Sequence, residues 1–226
     1  MKENIVLDRK KYPWEVKVRH HVSAQNYLPI EELQNIPDTY PPIIENINWQ
    51  EHFKNGNQPN VLDIGCGKGL FLLSVAYHER NKNFLGIEVR KYPVEWINLV
   101  AKEEGLDNCS TINYTVANGL RFINENSIDR VYYLFPDPWP KSKHFRRRAF
   151  NPRFIEEVYR VLKFGGELFL ATDCDYVDEY QLSLIAKFGK FSVRRAETND
   201  WDLPLTNKER FCVEKEIKVY KCICTK

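Results

Sequence analysis

Short apolar runs alternate with helix-length amphipathic stretches along the chain from about residue 43 onward. Five of these runs have the length and continuity of buried strands: 61–65, 84–88, 110–115, 130–135 and 167–172. Helices are predicted between and after them, over 69–79, 91–104, 151–162 and 175–188. Because only a parallel sheet with helices on both faces buries both sides of every strand, the pattern predicts an α/β fold of that kind.

The two ends of the chain do not share this alternation. Residues 1–42 are polar, aromatic and basic with several prolines, so they are predicted to form an N-terminal arm that leads into one domain over residues 43–226. Beyond residue 190, the stretches FSVRRA and EKEIKVYKCICTK predict a closing pair of strands, with an antiparallel closing strand in the sheet. The expected architecture is a Rossmann-like, mostly parallel twisted sheet whose ligand site lies at the carboxyl ends of the strands.

The charge of the chain is nearly balanced, since 33 Lys and Arg offset 31 Asp and Glu to leave +2. This balance excludes a polybasic nucleic-acid coat but permits a local basic patch. The sequence has no signal-peptide core and no run of about 18 apolar residues, so we expect a cytoplasmic protein without a membrane segment. Its six cysteines form no CxxC pair, which predicts reduced thiols and no bound metal.

A glycine loop, DIGCGKG, follows the first predicted strand. Gly65, Gly67 and Gly69 allow a tight turn and a close approach of the backbone to a ligand. Asp63 precedes them, and its carboxylate would repel a pyrophosphate but suits a ligand with an ammonium group, such as S-adenosylmethionine. Glu88 ends the second strand 21 residues after Gly67, where an acid can accept hydrogen bonds from both ribose hydroxyls. The alternative is that the glycines only pack a helix against a strand.

The fourth strand runs directly into FPDPWPKSKHFRRR. Prolines at alternate positions fix φ, so Asp137 and Trp139 are held in place at little further entropic cost. The basic run that follows is predicted to lie on a surface segment beside the ligand crevice, where it would bind RNA phosphates unless it is only a solvated face. Its members are Lys141, Lys143, Arg146, Arg147 and Arg148.

These motifs together resemble the tRNA (guanine-N7)-methyltransferase family, of bacterial type, within the class I S-adenosylmethionine-dependent methyltransferases. The likeness covers roughly residues 55 to 210 and is most specific at FPDPWPK and LKFGGELFLATDCDYVDEY. It implies methyl transfer from S-adenosylmethionine to N7 of a tRNA guanosine, guanosine 46 of the variable loop. It also implies a monomer or homodimer with no obligatory protein partner.

The resemblance further implies roles for individual residues. The methyl donor would be held by Asp63, Gly65, Gly67, Gly69, Glu88, Asn118 and Asp137. The substrate would be contacted by Lys141, Asp173, Thr206 and Glu209, and the basic run would add Arg146, Arg147 and Arg148. Asp137 is the expected catalytic group, because guanine N7 carries a lone pair and no proton, so that positioning and charge stabilisation replace a general base.

Three positions depart from the family pattern. Asn118 stands where family members commonly have Asp, KSKH lacks the Arg that usually precedes the His, and Lys208 replaces an aromatic residue. Other interpretations also stay open for some residues: Asn118 could be an exposed loop residue, and Trp139 a packing aromatic. Thr206 and Glu209 could form a helix capping box, and Asp173 could cap the helix after it.

Three other functions stay open at this point. One is an exocyclic-amine methyltransferase, although its loop commonly reads NPPY or DPPY rather than DPWP. Another is a nicotinamide-dependent oxidoreductase, against which Asp63 and the GxGxG spacing argue. The last is a non-catalytic RNA-binding module on the same fold.

Overall fold

A computed structural model describes residues 2–14, 23–197 and 200–226, except for the side chains of residues 142–144. Its sheet has seven strands in the order β3-β2-β1-β4-β5-β7-β6. They are β1 (Val61–Ile64), β2 (Phe84–Glu88), β3 (Cys109–Asn113), β4 (Ile128–Leu134), β5 (Leu162–Thr172), β6 (Ser192–Arg195) and β7 (Tyr220–Thr225). Strands β1 to β5 pair in parallel, and β7 runs antiparallel between β5 and β6. The predicted fold class and the antiparallel closing strand are confirmed.

The helices are α1 (Leu70–His78), α2 (Lys91–Glu103), α3 (Pro152–Val161), α4 (Asp175–Phe188) and α5 (Asn207–Glu214). Side-chain caps mark where two of them begin. The Asn151 side chain accepts a hydrogen bond from the Phe154 amide at the start of α3, and Thr206 accepts one from the Glu209 amide at the start of α5. The first four helices were predicted to within two residues at each end. Helix α5 was not among the predicted helices, and only the possible capping box of Thr206 and Glu209 indicated it.

Among the predicted strands, the bounds differ most at β5. This strand begins at Leu162, directly after α3, whereas the sequence predicted a strand over 167–172. Ile128 pairs with Leu162 and Arg130 with Glu167, so the register shifts between them. The extra residues of β5 form a bulge that includes Gly165 at φ +78, a backbone conformation that glycine adopts without strain.

Apolar side chains fill both faces of the sheet. In β1, Val61 packs into the cluster formed with α1 and α2, and Leu62 packs into the cluster formed with α3 and α4. Successive strand residues point to opposite faces, so a fully apolar strand must be covered on both sides. Among residues 2–14, 23–197 and 200–226, no helix is long and apolar enough to cross a membrane.

The central strand supplies a direct test of this packing. Leu62 is 0% exposed, so Leu62→Ala is expected to lower the free energy of unfolding by about 2–5 kcal/mol, through lost transfer energy and a cavity. The control is Leu99→Ala, since Leu99 on α2 is 53% exposed. Urea unfolding measures both, and equal losses in the two variants would contradict the assigned burial.

Candidate methyl-donor and RNA site

A crevice of about 670 Å³ opens at the carboxyl ends of β1, β2 and β4. The glycine loop, the end of β2, the turn after β4 and the start of α5 form its walls. Nine of the residues predicted to bind the donor or the substrate line it: Asp63, Gly65, Gly67, Gly69, Glu88, Asp137, Arg147, Arg148 and Thr206. Residues far apart in the sequence therefore meet at the edge where a parallel sheet binds its ligands.

The glycine loop has a backbone conformation that residues with a Cβ rarely adopt. Gly65, Gly67 and Gly69 all have positive φ, at 77, 59 and 73°. A Cβ on Gly69 would lie 2.4 Å from Cγ1 of Ile97, whereas one on Gly65 would meet no heavy atom within 4 Å. Gly69 is thus required by helix packing, while Gly65 leaves open space next to the crevice. Of the two interpretations of the glycine pattern, helix packing therefore applies at Gly69, and room for a ligand applies at Gly65.

Two carboxylates lie beside this loop and differ in their environment. Asp63 is 4% exposed, and burial, with the charge of Glu88 adding to it, raises the pKa of Asp63 to about 7. Glu88 instead accepts hydrogen bonds from the Gly67 amide at 3.0 Å and from Nε of Arg90 at 2.8 Å. Arg90 therefore compensates the charge of Glu88, and Asp63 is the carboxyl group that a cation in the crevice would favour in its ionised form.

The turn after β4 holds Asp137 between two unusual backbone positions. Phe135 and Trp139 have φ values of 51 and 42°, in the left-handed region that non-glycine residues rarely adopt. Such conformations persist where the surroundings impose them, and they are common at functional sites. The Phe135 amide donates to the Ala171 carbonyl at 2.7 Å, which fixes the start of the turn on β5.

Two arginines hold the other end of this turn. Cζ of Arg147 lies 5.0 Å from the centre of the Trp139 ring, and Nη2 of Arg148 donates to the Trp139 carbonyl at 3.1 Å. Arg148 is only 9% exposed, with its guanidinium 4.0 Å from the centre of the Phe145 ring and 4.5 Å from that of Tyr180. Arg148 thus lines the crevice, as predicted, but its side chain is not exposed as expected for a surface segment, because its guanidinium fastens the turn to α4.

Comparison with known proteins places this geometry in a family. The family model Methyltransf_4, described as "Putative methyltransferase", matches residues 57–222. A tRNA (guanine-N(7)-)-methyltransferase from Synechococcus elongatus is 30% identical over 217 residues, which cover 92% of this chain and 95% of the relative. One from Lactobacillus gasseri is 34% identical over 159 residues, covering 70% and 71%. The chain belongs to the tRNA (guanine-N7)-methyltransferase family.

Solved structures agree with the fold expected of this family. A SAM-dependent methyltransferase from Aquifex aeolicus is similar with a TM-score of 0.50 and 18% identity, over 74% of this chain and 81% of that one. Precorrin-6y C5,15-methyltransferase from Geobacter metallireducens is similar with a TM-score of 0.53 and 16% identity, over 75% and 82%. The fold is that of class I methyltransferases, and family membership rules out the nicotinamide-dependent oxidoreductase considered above.

Asp173, at the end of β5, bears on one departure from the family pattern. Its carboxylate forms an ion pair of 2.7 Å with Nζ of Lys208 on α5, and Lys208 also lines the crevice. Cys174 is the N-terminal capping residue of α4 and makes no side-chain cap, so Asp173 does not cap that helix. Lys208, which stands where the family usually has an aromatic residue, therefore places a cation beside Asp173. The family resemblance implies that Asp173 contacts the substrate.

Thr206 and Glu209 form the capping arrangement at the start of α5. Oγ1 of Thr206 accepts from the Glu209 amide at 2.9 Å, and Thr206 borders the crevice. The Glu209 side chain is 3% exposed and pairs with Lys221 of β7 at 2.5 Å. Glu209 thus ties α5 to the sheet and does not line the crevice.

The remaining predicted residues lie outside the crevice. Lys141 and Arg146 are exposed on the segment that follows the turn, and the side chain of Lys143 lies outside the described part of the structure. Asn118 follows β3 and hydrogen-bonds to the predicted N-terminal arm. Tyr27 of that arm lines the crevice, as does Arg90. Sequence reasoning missed both, because the arm has no periodic pattern and Arg90 belongs to no motif.

Arg148 and Arg146 make a matched pair for a stability test. Arg148→Ala removes a hydrogen bond to a partly buried carbonyl and two ring contacts, so it is expected to lower the free energy of unfolding by about 1–3 kcal/mol. Arg146→Ala, at an exposed position, is expected to change it by less than about 0.5 kcal/mol. Denaturant midpoints measured at constant m-value compare them, and an Arg148→Ala variant as stable as the wild type would contradict the fastening role.

Proposed function

We propose that this protein transfers the methyl group of S-adenosylmethionine to N7 of a guanosine in tRNA, and that this guanosine is number 46 of the variable loop. Family membership supports the reaction. The observation that carries the proposal is the meeting of the glycine loop and Asp63 with the Asp137 turn in one crevice. With tRNA as substrate, the expected setting is the cytoplasm, and the expected form is a monomer or homodimer without an obligatory partner.

The residues of the crevice fit the donor. Asp63 offers a buried carboxyl group to the ammonium group of the amino-acid part, and the open side of Gly65 allows close approach of the backbone. Glu88 ends β2 at the position suited to the ribose hydroxyls, which would share its oxygens with Arg90. When bound, S-adenosylmethionine supplies an electrophilic methyl group on a sulfonium sulfur.

Asp137 is the proposed catalytic residue. N7 of guanine attacks with its in-plane lone pair, and since N7 carries no proton, no side chain has to remove one. As the bond from N7 to the methyl carbon forms, the bond from that carbon to the donor sulfur breaks and its electron pair returns to sulfur. The purine ring gains the positive charge that the sulfonium loses, and the Asp137 carboxylate stabilises that charge. The two left-handed residues on either side of Asp137 keep its backbone in place before the substrate arrives, which lowers the cost of reaching the reactive arrangement.

Exposed cations would hold the RNA. Lys141 and Arg146 follow the turn on the surface, where contacts to phosphates would be strong at low salt and weaker as salt rises. Since the chain carries a net charge of only +2, the attraction for RNA is expected to be local to this side of the molecule.

The reaction is tested by incubating the protein with unmodified tRNA and labelled donor, then identifying the methylated nucleoside by mass spectrometry. We expect 7-methylguanosine, mapped to position 46. Asp137→Asn keeps the shape of the side chain and removes its charge, so turnover is expected to fall about a hundredfold or more. The control is Asp107→Asn, because Asp107 pairs with Lys54 on the exposed surface. A product methylated at N1 or N2 would refute the proposed chemistry.

Donor affinity is expected to depend on pH through Asp63. Burial raises the pKa of Asp63 to about 7, so below that pH the carboxyl group must lose its proton before it can pair with an ammonium group. Affinity for S-adenosylmethionine should therefore increase roughly tenfold between about pH 6 and pH 8, if the ammonium group stays protonated. Calorimetric titration measures this. Asp63→Asn should bind the donor weakly, and its affinity should depend little on pH. An affinity that still increases roughly tenfold over this pH range in the variant would contradict the assignment.

A further inference from the structure

Part of the predicted N-terminal arm lies across the edge of the crevice. This crossing segment, residues 23–40, contains two short 3₁₀ turns, Ala24–Tyr27 and Ile30–Glu32. It is well packed although it has little regular structure, since Asn26 is 1% exposed and Leu28 is 6% exposed. The segment is therefore packed against the rest of the molecule, and its Tyr27 lines the crevice.

Asn118 fastens the crossing segment at two points. Its Oδ1 accepts from the Ile30 amide at 2.8 Å, and its Nδ2 donates to the Tyr40 hydroxyl at 3.0 Å. That hydroxyl lies 2.7 Å from the Leu28 carbonyl, to which it donates its single proton. The arrangement needs a donor and an acceptor on one short side chain. An amide provides both, whereas a carboxylate provides only acceptors.

Other contacts fix the same segment. The Asn26 side chain donates to the Thr39 carbonyl at 2.6 Å, which closes the segment on itself. Glu31 forms an ion pair with Arg153 of α3 at 2.6 Å. Because both side chains are about half exposed, this pair contributes little to stability. The Asn118 bonds therefore link the segment to the turn that follows β3.

Tyr27 is the residue that the crossing segment brings into the crevice. Its hydroxyl donates to Oδ2 of Asp137 at 3.2 Å, and its ring meets the Trp139 ring edge-on, with 5.6 Å between centres. Burial, followed by the charge of Asp137, raises the pKa of Tyr27, so the hydroxyl keeps its proton and stays a donor. Tyr27 thus contacts both of the residues that the proline-rich turn presents.

We propose that Tyr27 is a positioning residue for methyl transfer, which orients the Asp137 carboxylate, and that Asn118 anchors the crossing segment that carries Tyr27. The proposal rests on the function proposed above, since it acts through Asp137. It gives Asn118, which the sequence placed among the donor-binding residues, an anchoring role as well.

Tyr27→Phe removes the hydroxyl and keeps the ring against Trp139. A hydrogen bond to a charged group is typically worth about a factor of ten or more, so kcat should fall roughly tenfold. The dissociation constant and KM for S-adenosylmethionine should stay within about twofold, because the donor does not depend on that hydroxyl. Tyr77→Phe, at a position 49% exposed on α1, is the control and should leave kcat unchanged. An unchanged kcat in Tyr27→Phe, or a loss confined to donor affinity, would overturn the positioning role.

The anchor is tested with Asn118→Asp, which keeps the size of the side chain and loses the donor to Tyr40. Hydrogen–deuterium exchange should accelerate in residues 23–40 and stay unchanged in β1 and β4. The double variant with Tyr27→Phe should have nearly the kcat of Tyr27→Phe alone, because both changes act on one unit. Altered donor affinity with unchanged exchange would instead make Asn118 a donor contact and overturn the anchor.

These measurements separate the positioning role from the proposed function. A wild-type protein that yields no 7-methylguanosine would refute the proposed reaction alone. Hydrogen exchange would still test the anchoring role of Asn118 in that case, because it needs no tRNA. If the wild type yields 7-methylguanosine and Tyr27→Phe keeps the full kcat, the reaction stands and the positioning role fails.

Discussion

The parallel pairing of β1 with both β2 and β4 is the constraint on which the site depends. Because β1 lies between the other two and all three run in one direction, their carboxyl ends open on the same edge of the sheet. The glycine loop, Glu88 and the Asp137 turn each follow or end one of these strands, so the order of the strands alone brings them together. The buried apolar faces of β1 maintain that order.

The charges of the site are balanced within it. Arg90 forms an ion pair with Glu88, and Lys208 forms one with Asp173. Asp63 has no comparable cation among the groups that shift its pKa, and burial pushes it toward the neutral form. A positively charged ligand would therefore favour the ionised form of Asp63, which supports the role in holding the donor that we propose for it.

The sequence predicted those parts of the molecule that local patterns determine. Strand runs such as 61–65 and the glycine loop carry their own periodicity and turn chemistry, and the structure has them at the predicted places. Contacts between distant residues left no such signal. Tyr27 and Asp137 are separated by 110 positions, so nothing in either stretch indicates the other. Arg148 was misjudged for the same reason: a run of arginines looks exposed until the aromatic rings that enclose one of them are known.

The proline-rich turn shows how both levels combine. Prolines around Asp137 restrict the chain locally, but the left-handed conformations of Phe135 and Trp139 need support from β5 and Arg148. The crossing segment also contacts the turn, through the hydrogen bond from the Tyr27 hydroxyl to Asp137. The position of Asp137 is therefore set by the sheet, by a buried arginine and by a segment of the predicted N-terminal arm.

We expect one crevice to hold the methyl donor between the glycine loop and the Asp137 turn. A crystal structure with bound S-adenosylhomocysteine would show whether this is so. The ligand's amino group should lie within hydrogen-bond distance of Asp63, about 3 Å, and its sulfur on the side of the crevice that faces Asp137. A ligand bound away from Gly67, or one whose sulfur points away from Asp137, would contradict it.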